Sequence, residues 1–137
     1  AYQTVRHKRK KIYHTNVMMC IGETFAVLCL ACIDNKKERQ NLIKHLQDDG
    51  KKIIEISEEQ VNHFAGNMLQ LKGAEAASYL VMSQSAFNSL RPAQIKLIES
   101  HTTILSSPLE TIESCGGGSA RCMMAEVFLP LYPLIQD

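Results

Sequence analysis

Apolar and polar residues alternate in blocks that predict short strands at the start of the chain. Residues 12–19 are rich in β-prone side chains, and residues 25–30 form a continuous apolar run. A Gly-Glu pair at 22–23 separates the two stretches and is typical of a turn. The pattern therefore predicts two adjacent strands.

A helix and a third strand are predicted after this pair. Asn35 and Glu38 have the spacing of an N-terminal capping box, and Gly50 suits the end of the helix. Residues 53–56 are apolar enough for a strand, and Ser57 suits the start of a short helical turn.

The same order of elements is predicted again further along the chain. Residues 67–71 and 79–82 suit short strands, 83–90 and 92–100 suit helices, and 102–105 suit a strand. The chain is thus predicted to be α/β, with strand-strand-helix-strand modules at about 12–66 and 67–115. After a helix start at 107–110, residues 122–129 are expected to begin a third unit as a closing strand.

Composition indicates one ordinary domain and excludes several classes of function. The chain has 137 residues, of which 45% are apolar and 21% charged, and its net charge is +1. This charge gives no overall field that would attract nucleic acid or a membrane surface, so neither is expected as a partner. The basic residues at 6–11 are expected to form a solvated, frayed terminus. No apolar stretch approaches the length of about eighteen residues that a spanning helix needs, and we expect a cytoplasmic protein.

The five cysteines indicate reduced thiols rather than a disulfide framework. Cys29 and Cys32 have CxxC spacing, but no second pair or histidine cluster accompanies them, and residues 25–30 are expected to be a buried strand. No metal site and no cofactor are predicted.

Residues 116–122 (GGGSARC) place a cysteine behind a flexible glycine loop. A nucleophilic cysteine needs a stabilised thiolate and room for substrate, and glycines can supply that room. His14 offers a group that titrates near neutral pH and can move a proton. The alternative is that Cys122 packs as a small apolar residue at the start of its apolar stretch.

The order of the modules predicts that His14, Asn67 and Cys122 lie close together. His14, Asn67 and Cys122 lie on or beside the first strand of successive units, 53 and 55 positions apart (14 to 67 and 67 to 122). In a fold built by radial repetition such strands face a common centre, so a polar site is expected there.

Residues 12–19 (IYHTNVMM) and 116–126 (GGGSARCMMAE) resemble the histidine and cysteine motifs of the guanidine-modifying, or pentein, superfamily. This superfamily includes arginine deiminases, dimethylarginine dimethylaminohydrolases and glycine amidinotransferase. Within it, the chain looks nearest to the citrulline-utilisation hydrolases, and the resemblance extends from about residue 12 to 129. It implies an α/β propeller of five modules, of which this chain would hold about two and the closing strand. The missing N-terminal modules, or further copies of the chain, would then be its partners.

The resemblance also implies a reaction. Cys122 would attack the central carbon of a guanidino or ureido amino acid, such as citrulline or an arginine-like molecule. His14 would act as general acid and base, and hydrolysis of the covalent adduct would follow. Arginine deiminases have an aspartate where this chain has Asn16, which favours a neutral ureido substrate. Asn16 and Asn67 are expected to bind substrate, although either could have a structural role in its strand or turn.

Three alternatives stay open from the sequence. The same fold could act as an amidinotransferase, in which an amine resolves the adduct in place of water. The chain could be a catalytically incomplete fragment that serves as a binding or assembly module. It could also be an unrelated α/β domain in which Cys122 and His14 lie far apart.

Overall fold

Two three-stranded sheets and one hairpin are seen in the computed structural model, which describes residues 1–73 and 77–127. The strands are β1 (Tyr2–Val5), β2 (Lys8–Lys11), β3 (Met19–Ile21), β4 (Phe25–Leu28), β5 (Lys52–Glu55), β6 (Leu69–Lys72), β7 (Ser78–Ser83) and β8 (Thr103–Ser107). The helices are α1 (Lys36–Asp48), α2 (Glu58–Asn62), α3 (Gln84–Ser89), α4 (Pro92–Glu99) and α5 (Glu110–Gly116).

The two larger sheets have the same construction. In the first, β3 pairs antiparallel with β4, and β4 pairs parallel with β5 after the crossover through α1. In the second, β6 pairs antiparallel with β7, and β7 pairs parallel with β8 after α3 and α4. A parallel pair needs such a crossover connection, whereas an antiparallel pair can be joined by a short turn. The predicted α/β class and the repeated strand-strand-helix-strand order are confirmed.

Local capping chemistry explains where the first helices begin. The Asn35 side chain accepts hydrogen bonds from the amides of Lys37 and Glu38, at 2.9 and 3.2 Å. Ser57 and Gln60 form a reciprocal capping box at the start of α2. Both helix starts were predicted, because such caps depend on residues three positions apart.

The core lies between the two modules and along both faces of β4. Every residue of β4 is buried, and one apolar cluster joins Phe25 and Ile54 of the first module to Leu80, Met82 and Ile98 of the second. The opposite face of β4 packs against α1. A strand covered on both faces has no polar alternation, which is why its sequence is a continuous apolar run.

A hairpin at the N-terminus replaces the frayed terminus that the basic residues predicted. β1 and β2 pair antiparallel, and the two residues that join them, Arg6 and His7, both have positive φ. Arg9 attaches this hairpin to the rest of the chain, because it forms ion pairs with Asp34 and Glu58. The predicted exposure of the basic run is confirmed, because Lys8–Lys11 are all exposed, but the predicted fraying is wrong because it took no account of these ion pairs.

Two predicted strands also differ from the structure. Within 12–19, residues Thr15–Val17 form a 3₁₀ turn and the strand begins only at Met19. The amide of Val17 donates to the His14 carbonyl at 3.1 Å, which turns the backbone away from an extended path. Within 122–129, a 3₁₀ turn spans Ala120–Met123, residues 124–127 are not in a strand, and 128–129 lie outside the described residues.

Across 1–73 and 77–127, no helix combines the length and the apolar character needed to cross a bilayer.

Candidate functional site

Cys122 is held by a turn that follows the glycine run. Gly117 ends α5 in the left-handed conformation, with φ of 68°, which glycine adopts without strain. The fully buried Ser119 donates from its hydroxyl to Glu113 at 2.6 Å, and its carbonyl accepts from the Cys122 amide at 3.0 Å. The loop is therefore fixed at both ends, by α5 and by the turn that carries the thiol.

The absence of a side chain at Gly118 leaves room for the Cys122 thiol. A Cβ atom at Gly118 would lie 3.1 Å from the Cβ of Cys122 and 3.2 Å from its Sγ, whereas a Cβ at Gly116 would meet nothing within 4 Å. Of these two glycines, it is Gly118 that must lack a side chain for the present position of the sulfur.

Asn67 lies at the junction of three segments. Its side chain is 3% exposed, and its Nδ2 donates to the Asn16 carbonyl at 3.1 Å and to the Cys122 Sγ at 3.3 Å. Its own carbonyl accepts from the Arg121 amide at 3.3 Å. The structure thus brings Asn67, Cys122 and the backbone of Asn16 together, although they are far apart in sequence.

Gly66 makes this junction sterically possible. A Cβ atom at Gly66 would lie 2.4 Å from the Val17 carbonyl oxygen and 2.7 Å from the Met18 carbonyl carbon. Both atoms belong to the backbone and cannot rotate away. The segment before β6 can therefore approach the segment after His14 only with glycine at this position.

The oxygen of the Asn67 amide differs from its nitrogen in its contacts. Within 1–73 and 77–127, its Oδ1 is a buried side-chain oxygen that receives no hydrogen bond. Buried polar atoms without partners are rare, and each costs free energy that a nearby interaction must offset. The amide is therefore oriented by its donor end.

His14 belongs to the sequence motif beside the group formed by Asn67 and Cys122, and its role stays a prediction. It is exposed, stands just before the 3₁₀ turn Thr15–Val17, and its ring lies against that of Tyr13 with centroids 5.0 Å apart. In the described ranges, no hydrogen bond joins the His14 imidazole to Cys122. Tyr13 and Cys122 do line the same cavity, so the histidine motif borders the thiol through its tyrosine.

Two small cavities flank this group. One, of about 220 Å³, is lined by residues that include Tyr13, Asn62, Asn67, Gly118 and Cys122. The other, of about 180 Å³, is lined by residues that include Asn16 and Arg121. The first has room for a small planar group beside the sulfur.

The five cysteines differ in their exposure to solvent. Cys20, Cys29 and Cys32 are buried, while Cys115 and Cys122 are exposed. Burial raises the pKa of the Cys20 thiol to about 11, partly offset by the positive charge of Arg121, so this thiol stays protonated. A hydrogen bond with Cys29, together with burial, also raises the pKa of Cys32. Of the two exposed thiols, Cys122 borders the cavity and the Asn67 amide.

In the part of the chain that the structure describes, no cluster of three or more His, Cys, Asp or Glu side chains could hold a metal ion. Tyr13, Gly66, Glu113 and Ser119 were not singled out from the sequence. Tyr13 and Ser119 lie inside the two motifs and Gly66 directly precedes Asn67, whereas Glu113 carried no signal.

Comparison with known proteins gives a family and a fold. The model of the family described as "N,N dimethylarginine dimethylhydrolase, eukaryotic" matches residues 1–129. No curated protein matches the chain.

Two solved structures are similar in fold. The apo structure of ArgZ, an arginine dihydrolase from the ornithine-ammonia cycle in cyanobacteria, superposes with a TM-score of 0.60 at 16% identity, over 80% of this chain and 16% of ArgZ. The N-terminal domain of ArgZ bound to product gives 0.57 at 17% identity, over 80% of this chain and 36% of that one. The chain thus spans well under half of either structure.

Proposed function

We propose that this chain, which belongs to the family described as eukaryotic N,N dimethylarginine dimethylhydrolase, carries the nucleophile of a cysteine hydrolase. Its two modules are part of the pentein α/β fold, and its family and fold are those of guanidino-modifying hydrolases. The proposal concerns what this particular chain does: it cleaves a carbon–nitrogen bond of a guanidino or ureido amino acid through a covalent thiol adduct.

One observation carries the proposal. Of the two exposed cysteines, Cys122 borders a cavity of about 220 Å³ and accepts a hydrogen bond from a buried amide. A thiolate needs hydrogen-bond donors and an open side for attack, and this arrangement offers both. Cys115 is exposed on α5 and does not line that cavity.

The proposed reaction has two stages. The Cys122 thiolate forms a bond to the central carbon, and the departing nitrogen takes its proton from His14 as its bond to that carbon breaks. Water then gives a proton to His14, and its oxygen attacks the thiouronium or thiocarbamate carbon, which releases the sulfur. A guanidino substrate would yield a ureido product and an amine or ammonia.

Asn16 and Asn67 are assigned to the substrate side of this site. Asn16 lines the second cavity and Asn67 the first. An amide at position 16 supplies hydrogen bonds but no countercharge for a guanidinium group, which favours a neutral ureido group such as that of citrulline. The name of the matching family makes N,N-dimethylarginine the alternative to test beside it.

The missing parts of the site are proposed to come from outside this chain. The chain spans 16% of ArgZ and 36% of its N-terminal domain, and the resemblance to the pentein superfamily implies five modules, of which this chain would hold about two. Further modules, supplied by the rest of the enzyme or by other copies of this chain, would add what the resemblance implies and this chain lacks: carboxylates that orient His14 and bind substrate nitrogen.

The test is incubation of the chain with citrulline, arginine or N,N-dimethylarginine, followed by measurement of ammonia or dimethylamine and of intact mass. The proposal expects a mass increase on Cys122 and product release, both lost in Cys122→Ser and kept in Cys115→Ser. A matched reaction with added amine separates hydrolysis from amidino transfer. Absence of both adduct and product, with Cys122 no more reactive than Cys115, would contradict the proposal.

A further inference from the structure

The contact between Asn67 and Cys122 carries an inference about how the thiol is prepared for attack. Asn67 precedes β6 of the second module, whereas Cys122 follows the glycine loop, 55 positions later. We infer that Asn67 is a positioning residue, whose Nδ2 fixes the Cys122 sulfur and stabilises it as a thiolate. The inference rests on the proposed function in taking Cys122 as the nucleophile.

The orientation of the Asn67 amide is the first support. Its Nδ2 has two acceptors, the Asn16 carbonyl at 3.1 Å and the Cys122 Sγ at 3.3 Å, while Oδ1 is buried without a partner among the described residues. A buried amide left with an unpaired oxygen is costly unless its donor end gains more than an ordinary hydrogen bond. A charged sulfur is the acceptor that would supply this gain, since hydrogen bonds to ionised groups are the stronger ones.

The rigidity of Asn67 is the second support. The side chain is 3% exposed, Gly66 packs directly on the Val17–Met18 backbone, and the Asn67 carbonyl accepts from the Arg121 amide. Main chain and side chain are therefore both held before any ligand arrives. A donor fixed in this way loses no conformational entropy when the sulfur becomes charged.

A packing role and a positioning role predict opposite results at the thiol. If Asn67 only filled space, its removal would loosen the surroundings of Cys122 and leave the alkylation rate unchanged or faster. If Nδ2 stabilises the thiolate, the loss of this donor lowers the thiolate fraction and slows alkylation. Intrinsic nucleophilicity rises as the thiolate becomes more basic, so the net slowing expected is about threefold to tenfold.

The experiment compares Asn67→Asp with Asn62→Asp in the full 137-residue chain, and Asn67→Leu removes the Nδ2 donor without adding a charge. Asn62 lines the same cavity and is exposed, so its substitution adds the same charge without removing the Nδ2 donor. Brief exposure to iodoacetamide at pH 7 and peptide mass spectrometry give the Cys122 rate relative to that of Cys115. Protection of the buried Cys20, Cys29 and Cys32 reports that each variant is folded.

The inference expects slower Cys122 alkylation in both Asn67→Leu and Asn67→Asp, and a change of less than about twofold in Asn62→Asp. Slowing in Asn67→Asp alone would come from its added charge and would overturn the inference. Equal rates in folded Asn67→Asp and Asn62→Asp would also overturn it. If Asn67→Asp does not fold, the side-chain amide resonance of Asn67 decides, measured in the unmodified chain and in Cys122→Ala. A shift at Asn67 with none at Asn62 supports the hydrogen bond, and an unchanged Asn67 resonance refutes it.

Neither readout requires turnover, which separates this inference from the proposed function. Slowed alkylation in a chain that forms no product would leave the positioning role in place and remove the hydrolase. Product formation by the unmodified chain, together with unchanged Cys122 alkylation in Asn67→Asp, would support the hydrolase and overturn the positioning role.

Discussion

Gly66 is the residue on which the close approach of the segment before β6 to the Val17–Met18 backbone depends. In Gly66→Ala, the new Cβ would overlap the Val17 carbonyl oxygen at 2.4 Å, and a backbone atom cannot be moved cheaply. We expect the free energy of unfolding to fall by about 1–3 kcal/mol. Urea unfolding measures the change, and Gly116→Ala, where a Cβ meets no atom within 4 Å, is the matched control. Equal losses in the two variants would contradict the steric argument.

Gly118 affects the thiol more than the fold. In Gly118→Ala, the added Cβ would press on the Cys122 Cβ and Sγ at 3.1 and 3.2 Å, so the cysteine must move by a few tenths of an ångström. We expect Cys122 to be alkylated at a changed rate while the unfolding free energy falls by less than about 1 kcal/mol, because one exposed side chain can give way. If Gly116→Ala alters the rate as much, the effect does not come from this contact.

Sequence reasoning predicted Cys122 and Asn67 as site residues, but it did not predict the contact between them. Their residue types and motifs are visible in the chain, whereas the donor direction of the Asn67 amide depends on the Asn16 carbonyl, 51 positions away. The approach of these segments follows from the backbone contact at Gly66, which no local pattern encodes. For the same reason the sequence did not predict the Ser119–Glu113 hydrogen bond that fixes the glycine loop.

At the scale of elements, the hairpin β1–β2 is held by Arg9. Its guanidinium pairs with Asp34 and Glu58, and it also donates to the Ala31 carbonyl at 2.9 Å. The hydrogen bond from Arg9 holds the pKa of Asp34 below its ordinary value. Partial burial acts to raise the pKa of Glu58, but hydrogen bonds from Thr4 and Arg9 outweigh it and lower the pKa.

These shifts predict how stability depends on pH. Lowered carboxyl pKa values stabilise the fold above the ordinary values of 3.8 and 4.5, and this stabilisation is lost as pH falls through the lowered values. We therefore expect Arg9→Met to destabilise the chain at pH 7 and to differ less from the unmodified chain at pH 3. Urea unfolding at both values measures this, with Lys8→Met as the control. A difference that stays constant between the two values would contradict the ion-pair origin.

The elements that sequence predicted best are those decided by neighbouring residues. The helix starts at Asn35 and Ser57 follow from side chains that cap amides two or three positions on. The strand predicted before Met19 was wrong. Thr and Val favour a strand, but the backbone forms a 3₁₀ turn there, and the Asn16 carbonyl in that turn accepts a hydrogen bond from Asn67. In β4, burial on both faces made the apolar run an unambiguous strand signal.

At the scale of the whole molecule, two modules leave sheet edges that a complete propeller would cover. Leu105 on the edge strand β8 is 47% exposed. Exposed strand edges with apolar side chains favour association. We expect the chain to self-associate at micromolar concentration, and Leu105→Lys to shift it toward monomer while Tyr2→Lys on the hairpin does not. Sedimentation velocity measures this, and an unmodified chain that sediments as a monomer would contradict the expectation.

The anchoring of Arg9 has a practical consequence for anyone who shortens this protein. A version beginning at Ile12 would lose the whole β1–β2 hairpin and with it Arg9, the cation that pairs with Asp34 and with Glu58 of α2. Asp34 and Glu58 would then both lose the guanidinium that they share. Removal of the basic N-terminal segment would thus remove ion pairs that stabilise the fold.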